Sequence, residues 1–590
     1  MCGILGFVDK RDALSHSERE RVIKAMVSTI EHRGRDGSGT FVEGKVALGN
    51  VRLSILDLTS AAAQPFSDES GSFILSYNGE LYNYRALNAE LEKTHRLRSS
   101  SDTETLLYRY IDDPDGYLSQ LQGMFGFSLF DKERRRLVLA VDRFSIKPLY
   151  YIDTPEWFAW SSEVKAFREL PGFSASLARE HMSEFVQFRQ VAGAQTLFSG
   201  VRRVLPAEEL RFDLVTSRLS ARRYWHLSAV STPPDGQAAL RSLLTRSVEE
   251  HLLSDVPVGL QLSGGVDSSL VAALAVHAKP GLHTYSIGLL EKEWNEFPYS
   301  RAVAKDLGTV HHELLFTEED FCRALPLLTY MHDEPISHSH SVPMHLLAKR
   351  ARQDVKVLLS GEGADEVFLG YKRYPALLAK RLSERDVVYS NAFVGEAEAK
   401  SIVRDFDSDT STRSRYELLR EAGDSDDGRR LSYYDLMTYL PPLLMRQDKM
   451  GMAANLENRV PFLDHRVVEF GYSLPRERKV QGSEAKVLLK EIAAEVLPRE
   501  LVYRPKCGFG QPVAAWLKNP RGLRRYLRLF DDGAVPEAIE YEALRQAADE
   551  HARGVREHTE LLWTLINFEL WMRICVRGET PADVLRFVSV

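Results

Sequence analysis

Two stretches of the chain combine an apolar strand, a glycine-rich turn and the start of a helix, and they constrain the fold more than any other feature. In the first, the apolar run 255–262 leads into SGGVDSS at 263–269 and then into an apolar helical stretch. In the second, the run 355–359 leads into SGEGADE at 360–366. Strands that alternate with helices predict an α/β domain with a doubly wound parallel sheet, and the two turns are predicted to form one crevice there.

The first 170 residues have a different pattern. Short runs of alternating or continuous apolar residues predict many strands, with amphipathic helical patterns between them. This predicts an α+β domain of stacked antiparallel sheets covered by helices. Around 225–237 the apolar periodicity gives way to Pro, Ser and Gly. We therefore predict a first domain at 1–210, a linker at 211–236 and a second domain at 237–590 that ends in a mostly helical part.

Composition excludes several classes of function. The chain has 590 residues, a net charge of −7 and 27% charged residues, which argues against nucleic acid or an acidic membrane as its main partner. No apolar run approaches the roughly 18 residues of a membrane span, and Asp9 and Lys10 interrupt any leader pattern. The four cysteines are far apart, so neither a zinc site nor a disulfide framework is indicated. We expect a cytoplasmic enzyme acting on small molecules.

The two glycine-rich turns carry the side chains that a phosphate site needs. Hydroxyls at Ser263, Ser268 and Ser269 suit phosphate oxygens, and backbone N–H groups at a helix start bind anions. Asp267 and Asp365 are predicted to share a Mg²⁺ ion, which leaves Glu362 for a different task. Each turn alone also fits an ordinary connection with a glycine and a capping acid. The GxxxxGK[ST] pattern of P-loop enzymes is absent from the sequence.

Taken together, the motifs of the whole chain resemble a known family. The motifs are MCGI, HRGRDGSG, RLSILDL, YNGELYN, SSDTE, IKPLYY, SGGVDSS, SGEGADEVF, RVPFLDHR and RPKCGFGQP, in this order. They resemble the glutamine-hydrolysing asparagine synthetases, in which an N-terminal-nucleophile glutamine amidotransferase is joined to an ATP-pyrophosphatase synthetase domain. The resemblance spans nearly the whole chain. It implies glutamine hydrolysis, adenylation of an acceptor carboxylate by ATP with Mg²⁺, and transfer of ammonia to the acyl-adenylate.

The resemblance assigns roles in the first domain. Removal of Met1 would expose Cys2 as the nucleophile, whose base is its own α-amine. Asn78 and the Gly79 N–H resemble the oxyanion hole, and Arg52 resembles the clamp for the glutamine carboxylate. Glu80 and Asp102 resemble the pair that holds the substrate ammonium. The implied glutamine-binding residues are Arg52, Leu53, Ser54, Ile55, Asn78, Gly79, Glu80 and Asp102.

The resemblance also assigns roles in the second domain. The implied ATP-binding residues are Leu262, Ser263, Gly264, Gly265, Asp267, Ser268, Ile287, Ser360 and Gly361. Lys486 resembles the lysine over the phosphates. Glu362 resembles the glutamate that helps to form the acyl-adenylate or to deprotonate ammonia. An ammonia tunnel between the domains and a homodimer are further implications of the family.

Some positions depart from the family pattern. His338 and His340 stand where many relatives have aspartate and serine, and Leu369 replaces a glycine. Ser145 also stands where glycine is typical. The catalytic positions are intact, so we hypothesise that the machinery is preserved while the acceptor pocket differs. Two histidines there would recognise a different carboxylate or tune a proton transfer, although either one alone also fits an exposed loop residue.

Several functions therefore stay open at the level of sequence. The leading hypothesis is an amide synthetase with L-aspartate as acceptor, and the alternative is an amidotransferase of a specialised pathway acting on a natural-product or sugar-acid carboxylate. A non-catalytic descendant and an ATP-pyrophosphatase of the thiolation or GMP-synthetase type are further alternatives. The nitrogen donor is glutamine or a γ-substituted analogue. The non-catalytic alternative is disfavoured by the presence of Cys2, Asn78, Asp102, Asp267, Glu362 and Lys486.

Overall fold

Two antiparallel sheets form the amino-terminal domain. The computed structural model describes residues 2–227, 236–291, 294–423, 426–504, 510–531 and 538–589. The strands of this domain are β1 (Cys2–Asp9), β2 (Gly37–Glu43), β3 (Val46–Arg52), β4 (Phe66–Ser67), β5 (Phe73–Leu81), β6 (Gly123–Asp131), β7 (Arg136–Val141), β8 (Tyr150–Asp153), β9 (Trp157–Ser161), β10 (Arg202–Arg203), β11 (Glu208–Asp213) and β12 (Leu219–Arg223). One sheet has the order β10-β8-β9-β1-β3-β2 and the other β12-β11-β7-β6-β5-β4.

Apolar residues alternate along these strands, and the two sheets stack because they bury the apolar side chains of their facing sides. In β1, Ile4 and Val8 point into the space between the sheets, where they meet Ile74 of β5, whereas Leu5 and Phe7 point to the opposite face. The covering helices are α1 (His16–Thr29), α2 (Tyr84–Leu91), α3 (Asp102–Asp112), α4 (Tyr117–Gln120) and α5 (Met182–Phe188). The predicted α+β architecture of stacked antiparallel sheets covered by helices is confirmed.

The predicted start of the linker at residue 211 is wrong. Strands β11 and β12 pair with each other, and β11 also pairs with β7, so residues up to Arg223 belong to the second sheet of the first domain. The sequence did not indicate these strands clearly, because only their inward-facing side chains, such as Leu210 and Phe212, are apolar. The Pro- and Ser-rich part of the predicted linker, 228–235, lies outside the described residues.

A five-stranded parallel sheet forms the centre of the second domain. Its strands are β13 (Val258–Gln261), β14 (His283–Leu289), β15 (Val310–Phe316), β16 (Val357–Leu359) and β17 (Glu457–Arg459), and a small hairpin follows with β18 (Val480–Gln481) and β19 (Glu484–Ala485). The strand order is β15-β14-β13-β16-β17, with every pair parallel. The chain therefore runs outward from β13 to one edge and then crosses to β16. The predicted doubly wound sheet is confirmed.

Helices cover both faces of this sheet and form most of the carboxyl-terminal part. They are α6 (Gly236–His251), α7 (Val266–Ala278), α8 (Phe297–Leu307), α9 (Glu318–His332), α10 (Ser341–Ala351), α11 (Ala364–Val367), α12 (Arg373–Leu378), α13 (Glu384–Val388), α14 (Glu396–Ile402), α15 (Ser408–Arg420), α16 (Asp427–Thr438), α17 (Leu440–Ala453), α18 (His465–Ser473), α19 (Arg476–Lys479), α20 (Val487–Ala493), α21 (Arg499–Val502), α22 (Val513–Trp516), α23 (Tyr541–Arg553), α24 (Thr559–Trp571) and α25 (Pro581–Ser589). Val357 and Leu359 pack on one face, and Leu358 packs on the other. Across the described residues, no helix has the length and apolarity that a membrane crossing requires.

Two candidate active sites

Side chains alternate between the two faces of a strand, and this alternation along β1 and β5 places Cys2 and Asn78 in the same space. Cys2 has the same parity as Ile4 in β1, and Asn78 has the same parity as Ile74 in β5, so both side chains face the space between the sheets. The Cys2 backbone N–H donates a hydrogen bond to Asn78 Oδ1 at 2.8 Å. This contact fixes the orientation of the Asn78 amide. Its Nδ2 is buried and has no hydrogen-bond partner among the described residues.

The Gly79 N–H is a second donor beside Asn78. The ladder bonds at Tyr82 and Lys132 show that the even-numbered residues of β5 form the hydrogen-bonded pairs with β6. The Gly79 N–H therefore points away from β6, as do those of Tyr77, which donates to Gln64, and Leu81, which donates to Asp102. A Cβ atom at Gly79 would lie 2.4 Å from the Met124 carbonyl oxygen, so only glycine fits here. Two donors beside Cys2 are what a tetrahedral oxyanion needs.

Arg52 lies directly across the sheet from Cys2, its register partner in β3. Its guanidinium donates to the carbonyl oxygens of Thr59 (3.1 Å) and Leu56 (3.2 Å), which fixes the following loop. Within that loop, the Ser54 N–H donates to Asp36 at 2.9 Å. Leu53 and Ile55 are buried. The predicted glutamine-binding stretch thus forms one wall next to Cys2.

Glu80 and Asp102, the predicted partners of the substrate ammonium, are both buried carboxylates. Asp102 accepts hydrogen bonds from the Tyr77 hydroxyl and the Leu81 N–H, each at 2.8 Å. Glu80 lies 3.1 Å from Arg459, which belongs to the second domain. Burial raises the pKa of Glu80 well above its ordinary value, and Arg459 only partly opposes this. A bound ammonium group would favour the charged carboxylate.

The other described thiols are protected from chemistry. Burial raises the pKa of Cys322 to about 12 and that of Cys575 to about 12, so both are thiols at neutral pH. Cys2, Cys322 and Cys575 are all free, and Cys507 lies outside the described residues.

A buried ion-pair network that we did not predict connects the first site to the second domain. The Arg33 Nε donates to the Cys2 carbonyl oxygen at 3.2 Å, and its two terminal nitrogens reach Glu163 (3.0 Å) and Asp448 (2.8 Å). Lys147 lies 3.4 Å from the same Asp448. Because Asp448 lies on α17, 415 residues from Arg33, no local sequence signal relates them.

In the second domain, the two glycine-rich turns lie where the strand order reverses. SGGVDSS follows β13 and SGEGADE follows β16, and these two strands are neighbours on either side of the switch point. A Cβ atom on Gly361 would lie 2.8 Å from the Ser268 nitrogen, so the turns are in contact. The Ser263 and Ser268 hydroxyls are 3.0 Å apart.

The remaining predicted nucleotide residues surround this crevice. The Leu262 N–H donates to the Tyr285 carbonyl oxygen at 2.9 Å, and Ile287 lies in β14 beyond Tyr285. Gly264 has a φ of +73°, and Gly265 is the N-cap residue just before α7. The Ser360 N–H donates to the Arg459 carbonyl oxygen at 2.9 Å. Arg504, which we did not predict, donates to the Gly264 carbonyl oxygen at 3.0 Å and adds positive charge beside the turn.

Lys486 joins the two turns. Its ammonium lies 2.6 Å from Asp267 and 2.7 Å from Asp365, and the two carboxylates raise its pKa against the effect of burial. The lysine itself has a φ of +58°, a left-handed conformation that costs free energy for a non-glycine residue. The residues predicted to hold Mg²⁺ therefore meet around this lysine. Two carboxylate oxygens suit Mg²⁺, which usually completes its octahedron with phosphate oxygens and water.

Gly370 makes room for Lys486, and this yields a prediction. A Cβ atom at Gly370 would overlap the Lys486 Cε and the Asp365 carboxylate. We expect Gly370→Ala to lower acceptor-dependent pyrophosphate release roughly 100-fold by displacing Lys486, with glutaminase activity unchanged. The matched control is Gly395→Ala, since a Cβ atom there meets nothing within 4 Å. Equal activity of the two variants would contradict the role of Lys486 in this site.

Glu362 is held at the edge of the crevice by two side chains of α17. Arg446 donates to Glu362 Oε2 at 2.6 Å, and the Gln447 amide donates to the same oxygen at 2.9 Å. Next to them, burial and the charges of Asp365 and Glu362 raise the pKa of Glu366 to about 8. Glu362 is thus held in place by one charged and one neutral donor of α17.

The structure gives the backbone conformation or the burial of each position that departs from the family pattern. Leu369 and Ser145, which replace glycines, have φ values of +55° and +52°. They keep the left-handed backbone that glycine would adopt freely. His338 is 8% exposed, so the alternative of an exposed loop residue does not hold for this histidine. His340 is half-buried.

Comparison with known proteins covers both domains. A family model described as asparagine synthase matches residues 239–573, and one described as a glutamine amidotransferase domain matches residues 1–225. The chain is 30% identical to a glutamine-hydrolysing asparagine synthetase 1 of Bacillus subtilis (strain 168), covering 99% of this chain and 98% of that protein. It is 30% identical to a putative asparagine synthetase of Mycobacterium tuberculosis (99% of each chain) and 29% identical to asparagine synthetase B of Escherichia coli (88% and 83%).

Proposed function

Because the chain belongs to the family of glutamine-hydrolysing asparagine synthetases, we propose that it amidates L-aspartate with ammonia taken from glutamine. The family makes it an ATP-dependent amidotransferase of the ligase class. We further propose that it acts in the cytoplasm, which the free thiols of Cys2, Cys322 and Cys575 support. A homodimer stays a prediction.

In the first step, the Cys2 thiolate attacks the side-chain amide carbon of glutamine. The oxyanion that forms accepts hydrogen bonds from Asn78 Nδ2 and the Gly79 N–H, and its collapse breaks the carbon–nitrogen bond and releases ammonia. Water then hydrolyses the thioester to glutamate. Once Met1 is removed, the α-amine of Cys2 carries the proton between thiol and leaving group. The hydrogen bond from the Cys2 nitrogen to Asn78 Oδ1 supports the role of Asn78, because it leaves the Nδ2 group available to the oxyanion.

In the second step, an oxygen of the acceptor carboxylate attacks the α-phosphorus of ATP, and pyrophosphate leaves. The turns that begin at Ser263 and Ser360 bind the phosphates, and Lys486 neutralises the negative charge that develops on the phosphate oxygens. Mg²⁺ held by Asp267 and Asp365 would supply further positive charge to the phosphates. Ammonia then attacks the acyl carbon, AMP leaves, and Glu362 accepts the proton.

An apolar seam between the sites is the observation that carries the proposal. Leu53 and Ile55, which follow the predicted glutamine clamp, pack in one buried cluster with Leu260 and Leu262, which precede the Ser263 turn. Met124 and Ile146 belong to the same cluster. Ammonia in such surroundings stays unprotonated, because burial disfavours the ammonium form. The seam supports an ammonia route from Cys2 to Glu362.

The test measures pyrophosphate release with Mg·ATP and glutamine, with and without L-aspartate, and follows asparagine and glutamate by mass spectrometry. We expect release to depend on aspartate, with asparagine, glutamate and pyrophosphate formed in a ratio close to one. Glutamate formed without aspartate-dependent pyrophosphate would reject aspartate as the acceptor. It would favour the alternative, an amidotransferase for another carboxylate.

A further inference from the structure

His338 lies at the same edge of the sheet as the two phosphate-binding turns. It is in the connection between α9 and α10, and its carbonyl oxygen accepts the Ser341 N–H at 3.1 Å at the start of α10. Because α10 leads the chain back to the beginning of β16, its first residues lie at the carboxyl edge of the sheet. The topology therefore places His338 beside the crevice that contains Glu362.

Aromatic rings surround His338. Its ring meets those of Tyr439 and Phe393 edge to face, with centroids 5.5 Å and 5.6 Å away. Tyr439 in turn packs against Tyr371 at 5.2 Å, and Tyr371 donates a hydrogen bond to Glu366. We call the rings of Phe393, Tyr439 and Tyr371 the aromatic pocket. It extends from His338 to the carboxyl cluster beside Glu362.

Two polar atoms at this pocket are buried without a partner. His338 Nε2 and Arg446 Nε have no accessible surface and no hydrogen bond to any described residue. Arg446 uses its terminal Nη2 for Glu362, which leaves its Nε available to another acceptor. An unpaired buried donor is destabilising in the free protein and is rare in native structures. A ligand with hydrogen-bond acceptors would satisfy both atoms.

The electrostatics indicate which ligand fits. The charged and titratable groups that face His338 are Arg446, Arg189, His340 and His332. Burial first, and then the Arg446 charge, holds the pKa of His338 well below its usual range, so the imidazole is neutral and donates from one nitrogen. Two donors beside the guanidinium groups of Arg446 and Arg189 suit an anion.

We propose that His338 determines acceptor specificity, binding together with Arg446 a second carboxylate of the acceptor, away from the carboxylate that is adenylated. This inference rests on the proposed function and narrows the acceptor to dicarboxylates whose far end enters the aromatic pocket. The reacting carboxylate lies by Glu362 and the phosphates, and the second carboxylate accepts hydrogen bonds from Arg446 Nε and His338 Nε2. Aspartate satisfies this requirement, and a monocarboxylate does not.

The test compares L-aspartate with β-alanine, which is aspartate without its α-carboxylate, by pyrophosphate release. His338→Phe keeps the ring packing and removes both nitrogens. We expect its KM for L-aspartate to rise on the order of 10- to 100-fold, with kcat, the KM for ATP and glutaminase activity nearly unchanged, and with the preference over β-alanine reduced by the same factor. His338→Gln, whose amide nitrogen reaches the position of Nε2, should recover most of the loss, whereas His338→Asn should not.

His277→Ala is the matched control, since His277 is an exposed histidine in the last turn of α7, and it should leave the KM for L-aspartate unchanged. An unchanged aspartate preference in His338→Phe would overturn the inference while the proposed function stands. A wild-type enzyme that ignores aspartate but uses another dicarboxylate would reject the proposed acceptor alone, and the same variants then apply to that dicarboxylate. A wild-type enzyme that prefers monocarboxylates would overturn the inference.

Discussion

Replacing Cys2 with alanine is expected to abolish glutamine-dependent amidation and to leave ammonium-dependent amidation intact. Among the described residues the nucleophile has no substitute, because Cys322 and Cys575 are buried thiols with raised pKa values in other parts of the chain. Loss of a nucleophile typically costs roughly 10⁴-fold or more in turnover. The measurement is glutamate release from glutamine, followed by pyrophosphate release with ammonium chloride as nitrogen donor.

The structure separates this loss from misfolding. Cys2 is the first residue of β1, and alanine keeps the strand, its pairing with Arg52 and the backbone bond to Asn78. The variant should therefore keep its ammonium-dependent rate within about two-fold, since the synthetase residues are unchanged. Labelling with a glutamine-analogue diazoketone should modify the wild-type chain once and Cys2→Ala not at all. Persistent glutaminase activity in Cys2→Ala would refute the assignment of the nucleophile.

Replacing Lys486 with methionine is expected to remove the synthetase activity and leave the glutaminase. The methionine side chain fills the slot beside Gly370 but leaves no cation between Asp267 and Asp365. Pyrophosphate release should fall roughly 10²- to 10³-fold or more, because a preorganised charge is lost from a site where phosphate charge develops. The readout is acceptor-dependent pyrophosphate release with ammonium chloride, which bypasses the first domain.

Lys490→Met is the matched control for this loss. Lys490 lies one turn further along α20 and pairs with Glu484, outside the crevice. We expect its pyrophosphate release to stay within about two-fold of wild type, as for most surface substitutions. If Lys486→Met lost glutaminase activity in parallel, the lysine would be a structural rather than a catalytic group. If it retained full pyrophosphate release, the proposed role of Lys486 would be wrong.

Much of the catalytic machinery was predictable because it depends on local patterns. A strand followed by a glycine turn and a helix start always brings backbone donors to the carboxyl edge, so the Ser263 and Ser360 turns were correctly expected to meet. Period-two alternation in β1 and β5 likewise directs Cys2 and Asn78 to one space. The roles of Lys486 and Arg52 came from resemblance instead. Neither residue has a local pattern that sets it apart from an exposed helix or strand residue.

The failures share one physical cause, which is long-range burial. Strand β12 and the end of β11 were assigned to a linker because short strands at one side of a sheet with one exposed face bury few apolar residues. Arg33 and Asp448 were not predicted because charged residues are usually solvated, and the burial of this pair depends on contact between two domains. For His338 the sequence left an exposed loop position open as an alternative, yet the rings of Phe393 and Tyr439 pack against it.

The sequence by itself determined the two fold classes, the family and the residue types at both sites, because periodicity, turn chemistry and motif order are properties of short segments. The tertiary structure alone decided how the sites are completed and connected. It placed Arg459 of the second domain beside Glu80, Lys486 between two aspartates, and apolar residues of both domains in one seam. Such contacts are fixed only when distant segments exclude water from the same space, and no local pattern encodes that event.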